Sequence, residues 1–274
     1  MIRPGYRQGT AGWTRAMEDG WEVSWDGCAS PLAARVPGYA QHDMYDAGLL
    51  PDPFRGTNEE AWQEACDRDV TYRCRFDVAE NLGDYDRVEL VFDGIDTIAT
   101  VELNGEEVLR ADNMFRTWRV DVAGLVCAGS NELEVRLRGA RPAAADEREA
   151  HRNSTPLLAD VPVPDGDRAY LRKMQCSFGW DWGIILPMAG IWKPVRLEAW
   201  NDARIISVTS RTKEIGDGAA VVDGWVLLDR AGEGEIDVDM SLTAPDGSEA
   251  GRVTRTTDCD SVAFALNVAS PELW

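Results

Sequence analysis

Asn104-Gly105 stands between two apolar–polar alternating runs, and that pairing restricts the fold more than any other feature of the chain. Upstream, Ala99, Val101 and Leu103 alternate with Thr100 and Glu102; downstream, residues 106–111 read as the return strand. Both Asn and Gly accept positive φ, as the type I′ turn of a two-residue hairpin requires. The same period of two runs through Tyr72, Cys74, Phe76 and Val78, then 87–92, then Trp118, Val120 and Val122, then Leu133, Val135 and Leu137, and again 195–200. Short strands at close spacing with turn residues between them predict an all-β sandwich or jelly roll.

After Asn201-Asp202, which reads as a linker, strands are expected at 205–209, 219–228, 235–243, 252–257 and 262–268. They predict a second, smaller sandwich, dividing the chain into 1–200 and 201–274. The second part holds about 70 residues against the ~100 typical of an immunoglobulin-like domain, so a truncated domain is expected. Residues 13–62 are rich in Trp, Gly and Pro and poor in period. Within them, residues 36–60 predict an extended segment, a short helix near 42–47 and a proline-bounded loop. Thr57-Asn58-Glu59-Glu60 then fits a capping box for a helix ending near Cys66. Residues 139–170 break the strand rhythm with two or three helical turns and a proline-rich excursion. Such insertions on a rigid scaffold commonly make sites.

The excursion leads into Arg172 to Trp192, RKMQCSFGWDWGIILPMAGIW, which holds three of the eleven tryptophans. No period of 2 or 3.6 explains its spacing, so it reads as a shaped loop rather than a regular element. Asp181 lies between Trp180 and Trp182. Indole faces beside an acceptor-only carboxylate suit a sugar, whose C–H face stacks and whose hydroxyls donate. A core-filling loop whose aspartate caps backbone amides is the alternative. The tryptophans at 13, 21, 25, 118 and 200 read as core.

A net charge of −20 argues against nucleic acid and against an anionic membrane surface. No run reaches the ~18 apolar residues of a membrane span, and no apolar leader is visible at the N-terminus. The six cysteines form no CxxC and only His42 and His151 accompany them. No metal or other cofactor is therefore expected, and the thiols read as reduced, mostly buried and cytoplasmic. His42, beside Asp43, reads as a structural hydrogen-bonder. The Asn-Glu pairs 58–59 and 131–132 are rejected as an acid/base: the first falls in a helix cap, the second in a turn before Leu133. Glycoside hydrolysis needs two opposed carboxyl groups, and no βα pattern is present to bring them to one barrel end.

Three long motifs carry a resemblance. VPGYAQHDMYDAGLLPDPFRGTNEE (36–60), LVFDGIDTIATVELNGEEVLRADNMFRTWRVDV (90–122) and RKMQCSFGWDWG…AGIWKPVRLE (172–198) together resemble the N-terminal part of the β-mannosidases of glycoside hydrolase family 2. The likeness runs through about 13–200. It implies a galactose-binding-like jelly roll, the start of an immunoglobulin-like sandwich, and beyond this chain a (β/α)8 barrel carrying two catalytic glutamates. It also implies that Asp181 contacts hydroxyls of a terminal mannose in the −1 subsite of a β-mannoside or manno-oligosaccharide. Trp180 and Trp182 would shape the wall, with Lys173 and Gln175 on the same approach. This chain has Ile184 where the family usually has proline and Val70 in place of a tryptophan; neither touches Asp181. A free-standing carbohydrate-binding module, an exo-glucosaminidase and an endo-β-mannosidase are the alternatives.

Overall fold

The computed structural model describes residues 12–151, 166–180, 183–216 and 218–271. It divides into two compact units, one of 14–84 with 88–198 and one of 1–13, 85–87 and 199–274.

The larger unit is built on strands β1 (Trp13–Ala16), β2 (Trp21–Trp25), β3 (Leu32–Ala33), β4 (Val70–Val78), β5 (Arg87–Phe92), β6 (Ala99–Leu103), β7 (Glu106–Ala111), β8 (Trp118–Asp121) and β9 (Gly129–Leu137). Two three-residue strands, β10 (Phe178–Trp180) and β11 (Gly183–Ile185), and β12 (Val195–Trp200) follow. One sheet has the order β3-β2-β4-β9-β6-β7 and a second the order β1-β12-β5-β8. The all-β expectation holds. Its driving force is the alternation itself: Tyr72, Cys74, Phe76 and Val78 of β4 and Leu133, Val135 and Leu137 of β9 are buried. Their neighbours Arg73 and Arg75 face solvent and pair with Glu134 at 2.5 Å and Glu132 at 2.8 Å across the β4–β9 ladder. Asn104 and Gly105 have φ of 52° and 84°, as the hairpin requires.

Among the described residues three α-helices interrupt the strands: α1 (Ala40–Asp46), α2 (Glu59–Cys66) and α3 (Ala140–His151). The capping box at Thr57 does not form. Asn58 occupies the N-cap without a side-chain capping bond, its side-chain amide donating instead to the Asp52 carbonyl at 2.9 Å, and the Glu60 amide donates to the Thr57 carbonyl at 3.0 Å. Asn131-Glu132 lies inside β9, not in a turn before it. Asn131 is buried and ties the β9 entry together through Cys127 and Gly129. Residues 13–33, where no period was visible, contain β1, β2 and β3. Of the six free cysteines only Cys66 and Cys74 are buried; burial pushes their thiols up to about 12 and about 11. Of the tryptophans expected in the core, Trp21 and Trp200 are buried, while Trp13, Trp25 and Trp118 are half-buried.

The smaller unit pairs β13 (Ala203–Gly216), β14 (Ala219–Arg230) and β17 (Ser261–Ala269) in one antiparallel sheet, and β15 (Ile236–Thr243) with β16 (Glu249–Thr257) in another. Val226, Leu228, Val238, Met240, Val262, Phe264 and Leu266 form its core. They alternate with exposed neighbours, the pattern of sheets buried on one face.

Candidate functional site

The stretch 172–192 folds into a short hairpin, which its lack of period hid. Residues 175–177 make one 3₁₀ turn, and β10 and β11 pair antiparallel, with Phe178 opposite Ile185 and Trp180 opposite Gly183. Alternation along β10 decides what each side chain does. Phe178 is buried against Ala140, Ala143 and Ala144 of α3, with Leu171 and Ile98. Trp180, two residues on, is 59% exposed, and the Arg168 guanidinium lies 6.0 Å from its ring centroid. The link between the strands, Asp181 and Trp182, lies outside the described residues.

Two side chains brace the segment in roles that the sequence did not assign to them. Glu59, in the first turn of α2, accepts from the Ile185 amide at 2.6 Å and from Gln63 Nε2 at 3.1 Å. A carboxylate acceptor makes the first of these a strong bond. Gln41 of α1 donates to the Ala65 carbonyl at 3.2 Å and accepts from the Ala189 amide at 3.1 Å while fully buried. Neither role is marked locally, because the Ile185 and Ala189 amides lie 126 and 148 residues away from Glu59 and Gln41.

Lys173 and Gln175 are placed differently from the approach that the resemblance implies. Gln175 is exposed, but its amide nitrogen donates to the carbonyls of Arg168 at 3.0 Å and Lys173 at 3.1 Å, so it shapes its own loop. Lys173 lies beneath the hairpin with its side chain 1% exposed, paired with an equally buried Asp96. Its ammonium also donates to the Met188 carbonyl at 2.7 Å. The physical reason is chain direction: Leu171 and Phe178 are anchored on the α3 side, and Lys173 between them turns into the interior.

Below the hairpin the chain is tightly held. Asp96 and Gly190 exchange backbone bonds at 2.9 and 3.0 Å, and the Gly38 and Ala40 amides donate to the Ile191 and Ala189 carbonyls. Trp192 Nε1 donates to the Met114 carbonyl at 3.1 Å. The Tyr39 phenol is held well above its usual range, by burial first and then by the negative Asp96 that it hydrogen-bonds. His42 stands edge-on to Tyr39 and Trp62, each at 6.1 Å, so its ring serves packing. Burial, and then the Arg35 charge, lowers its pKa.

Gly190 has no room for a side chain. A methyl group there would lie 2.2 Å from the Gly38 carbonyl oxygen and 2.7 Å from Tyr39 Cα, both backbone atoms that cannot swing aside. Gly190→Ala is expected to cost about 3 kcal/mol, the upper end of ordinary overpacking. At ~2–4 °C per kcal/mol that lowers Tm by about 6–12 °C. A thermal melt within about 2 °C of the parent would show that the two backbones part freely.

A family model described as "Glycosyl hydrolase 2 galactose-binding domain-like" matches residues 14–193. A β-mannosidase of Mus musculus is 33% identical over 202 residues, covering 73% of this chain and 23% of the mouse protein. β-Mannosidase B of Emericella nidulans is 31% identical over 264 residues, covering 94% of this chain and 31% of its own length. The crystal structure of a β-D-mannosidase from Dictyoglomus thermophilum matches with a TM-score of 0.84 at 29% identity, over 96% of this chain and 32% of that one. A β-glucuronidase from Ruminococcus gnavus, at 15% identity and a TM-score of 0.60, shares the fold alone. The chain thus spans about a quarter to a third of the relatives it matches.

Proposed function

The chain belongs to the glycosyl hydrolase 2 galactose-binding domain-like family, and on that premise we propose that it is the N-terminal segment of a β-mannosidase that removes terminal β-D-mannose with retention. In this reading 1–200 is the sugar-binding-like domain and 201–274 the start of an immunoglobulin-like domain. The catalytic glutamates reside on a (β/α)8 barrel elsewhere in the full-length protein. The hairpin contributes part of the −1 subsite: Asp181 accepts from mannose hydroxyls, and Trp180 and Trp182 wall the ring. The six free thiols fit a cytoplasmic setting.

One observation carries this reading. Trp180 is largely exposed on a hairpin whose other contacts, Phe178 and the Glu59 carboxylate, are fixed. An indole held out to solvent on a braced hairpin offers a stacking face whose backbone support is already ordered. The β-mannosidase relatives supply the substrate class.

The test is a panel of aryl glycosides with the full-length protein. The β-mannoside is expected to show kcat/KM at least about tenfold above the matching β-galactoside and β-glucuronide. Faster turnover of either competitor would overturn the mannoside assignment. No turnover of any, with measurable mannoside affinity, would favour a free-standing carbohydrate-binding module.

A further inference from the structure

Lys173 and Asp96 are both fully buried, although lysine and aspartate are almost never so unless paired. Here both charges have several polar partners. The ammonium donates to Asp96 Oδ2 and to the Met188 carbonyl, the Thr97 hydroxyl donates to Asp96 Oδ1, and the Tyr39 phenol bonds the same carboxylate. Four stretches distant in sequence therefore converge on one charge pair: Tyr39, Asp96-Thr97, Lys173 and Met188. Two of them are the two ends of the segment that carries β10 and β11. Lys173 leads into the hairpin and Met188 leads out of it, so the Lys173–Met188 bond closes the segment at its root.

A buried ion pair is weak evidence for stability, because desolvation offsets attraction; its best-attested role is to fix one arrangement among several. Apolar packing of Phe178 alone permits the hairpin to pivot, whereas a hydrogen-bonded charge at its root fixes both strands in direction. We propose that Lys173 and Asp96 are positioning residues, a buried charged latch that sets the orientation of the β10–β11 hairpin and thereby places Trp180 against the sugar. The consequence for catalysis rests on the mannoside reading above. The latch itself rests on the geometry alone.

Two measurements on the full-length enzyme separate these claims. In Lys173→Met and in the pair-removing Asp96→Asn/Lys173→Met, amide exchange across 176–186 is expected to rise about tenfold or more while β4 and β9 keep their protection. Unchanged exchange at 176–186, or a rise spread evenly over the protein, would overturn the latch. The double substitution leaves no unpaired buried charge and so keeps the test open if the single variant does not fold. The second measurement is a cycle with Asp181→Ala on an aryl β-mannoside. Lys173→Met is expected to lower kcat about 30-fold with KM changed less than about threefold, and to add less than about threefold to the loss in Asp181→Ala. Losses that multiply would show an effect independent of the hairpin and overturn the positioning role. If Asp181→Ala itself were silent, the mannoside reading would fall, and the exchange result would still decide the latch.

Discussion

Asp181→Ala in the full-length enzyme is expected to lower kcat/KM on an aryl β-mannoside by about 100-fold or more. A carboxylate is an acceptor with no donor of its own, and a mannose ring presents hydroxyls that donate. Charge-assisted bonds of this kind contribute roughly 1.5–3 kcal/mol each. Two of them at one ring make about 3–6 kcal/mol, and at 1.36 kcal/mol per tenfold the loss runs from about 10² to about 10⁴. Part of this should appear in kcat, because the same bonds orient the anomeric carbon toward the nucleophile. Asp181→Asn keeps one acceptor but replaces the other with a donor facing donors, and should fall near the alanine variant. A loss below about threefold in Asp181→Ala would remove that residue from the site.

The sequence told most where a side-chain period reaches the surface of the fold. Residues 72–78 and 99–103 read as strands and lie in strands, because every second side chain there is buried and its neighbours are not. The stretch 172–192 did not yield its internal structure, since two strands of three residues cannot show a period of two. Its importance was legible from the crowding of tryptophan and glycine; its hairpin was not. The capping box at Thr57 shows a different limit. The residue types were right, but α2 opens at Glu59, whose carboxylate is engaged by an amide 126 residues away. Lys173 shows the same thing at the site: proximity along the chain suggested a ligand, while Asp96, 77 residues upstream, claims its charge. Local pattern reads local structure. Partners brought together by topology are readable only once the sheets are in place.

That topology also governs the last expected result: residues 1–274, produced alone, should hydrolyse no aryl β-mannoside above the uncatalysed rate. Retaining hydrolysis needs an acid and a nucleophile ~5–5.5 Å apart across one sugar ring, both free to act. Among the described residues, three carboxylates of the surrounding elements are engaged. Asp96 is neutralised by Lys173, Glu59 accepts from Ile185 and Gln63, and Asp167 pairs with Arg148 at 2.7 Å. Each is bound to a partner within the segment rather than presented to a sugar, whereas a general acid must reach the glycosidic oxygen. Tryptophan fluorescence and a cooperative melt would first establish that the segment is folded. A saturation-transfer titration with methyl β-mannoside would then report any residual contact at Trp180. Turnover by the folded segment that Asp181→Ala abolishes would mean that acid and nucleophile both lie within these residues, and the division of labour proposed for the hairpin and the barrel would be lost.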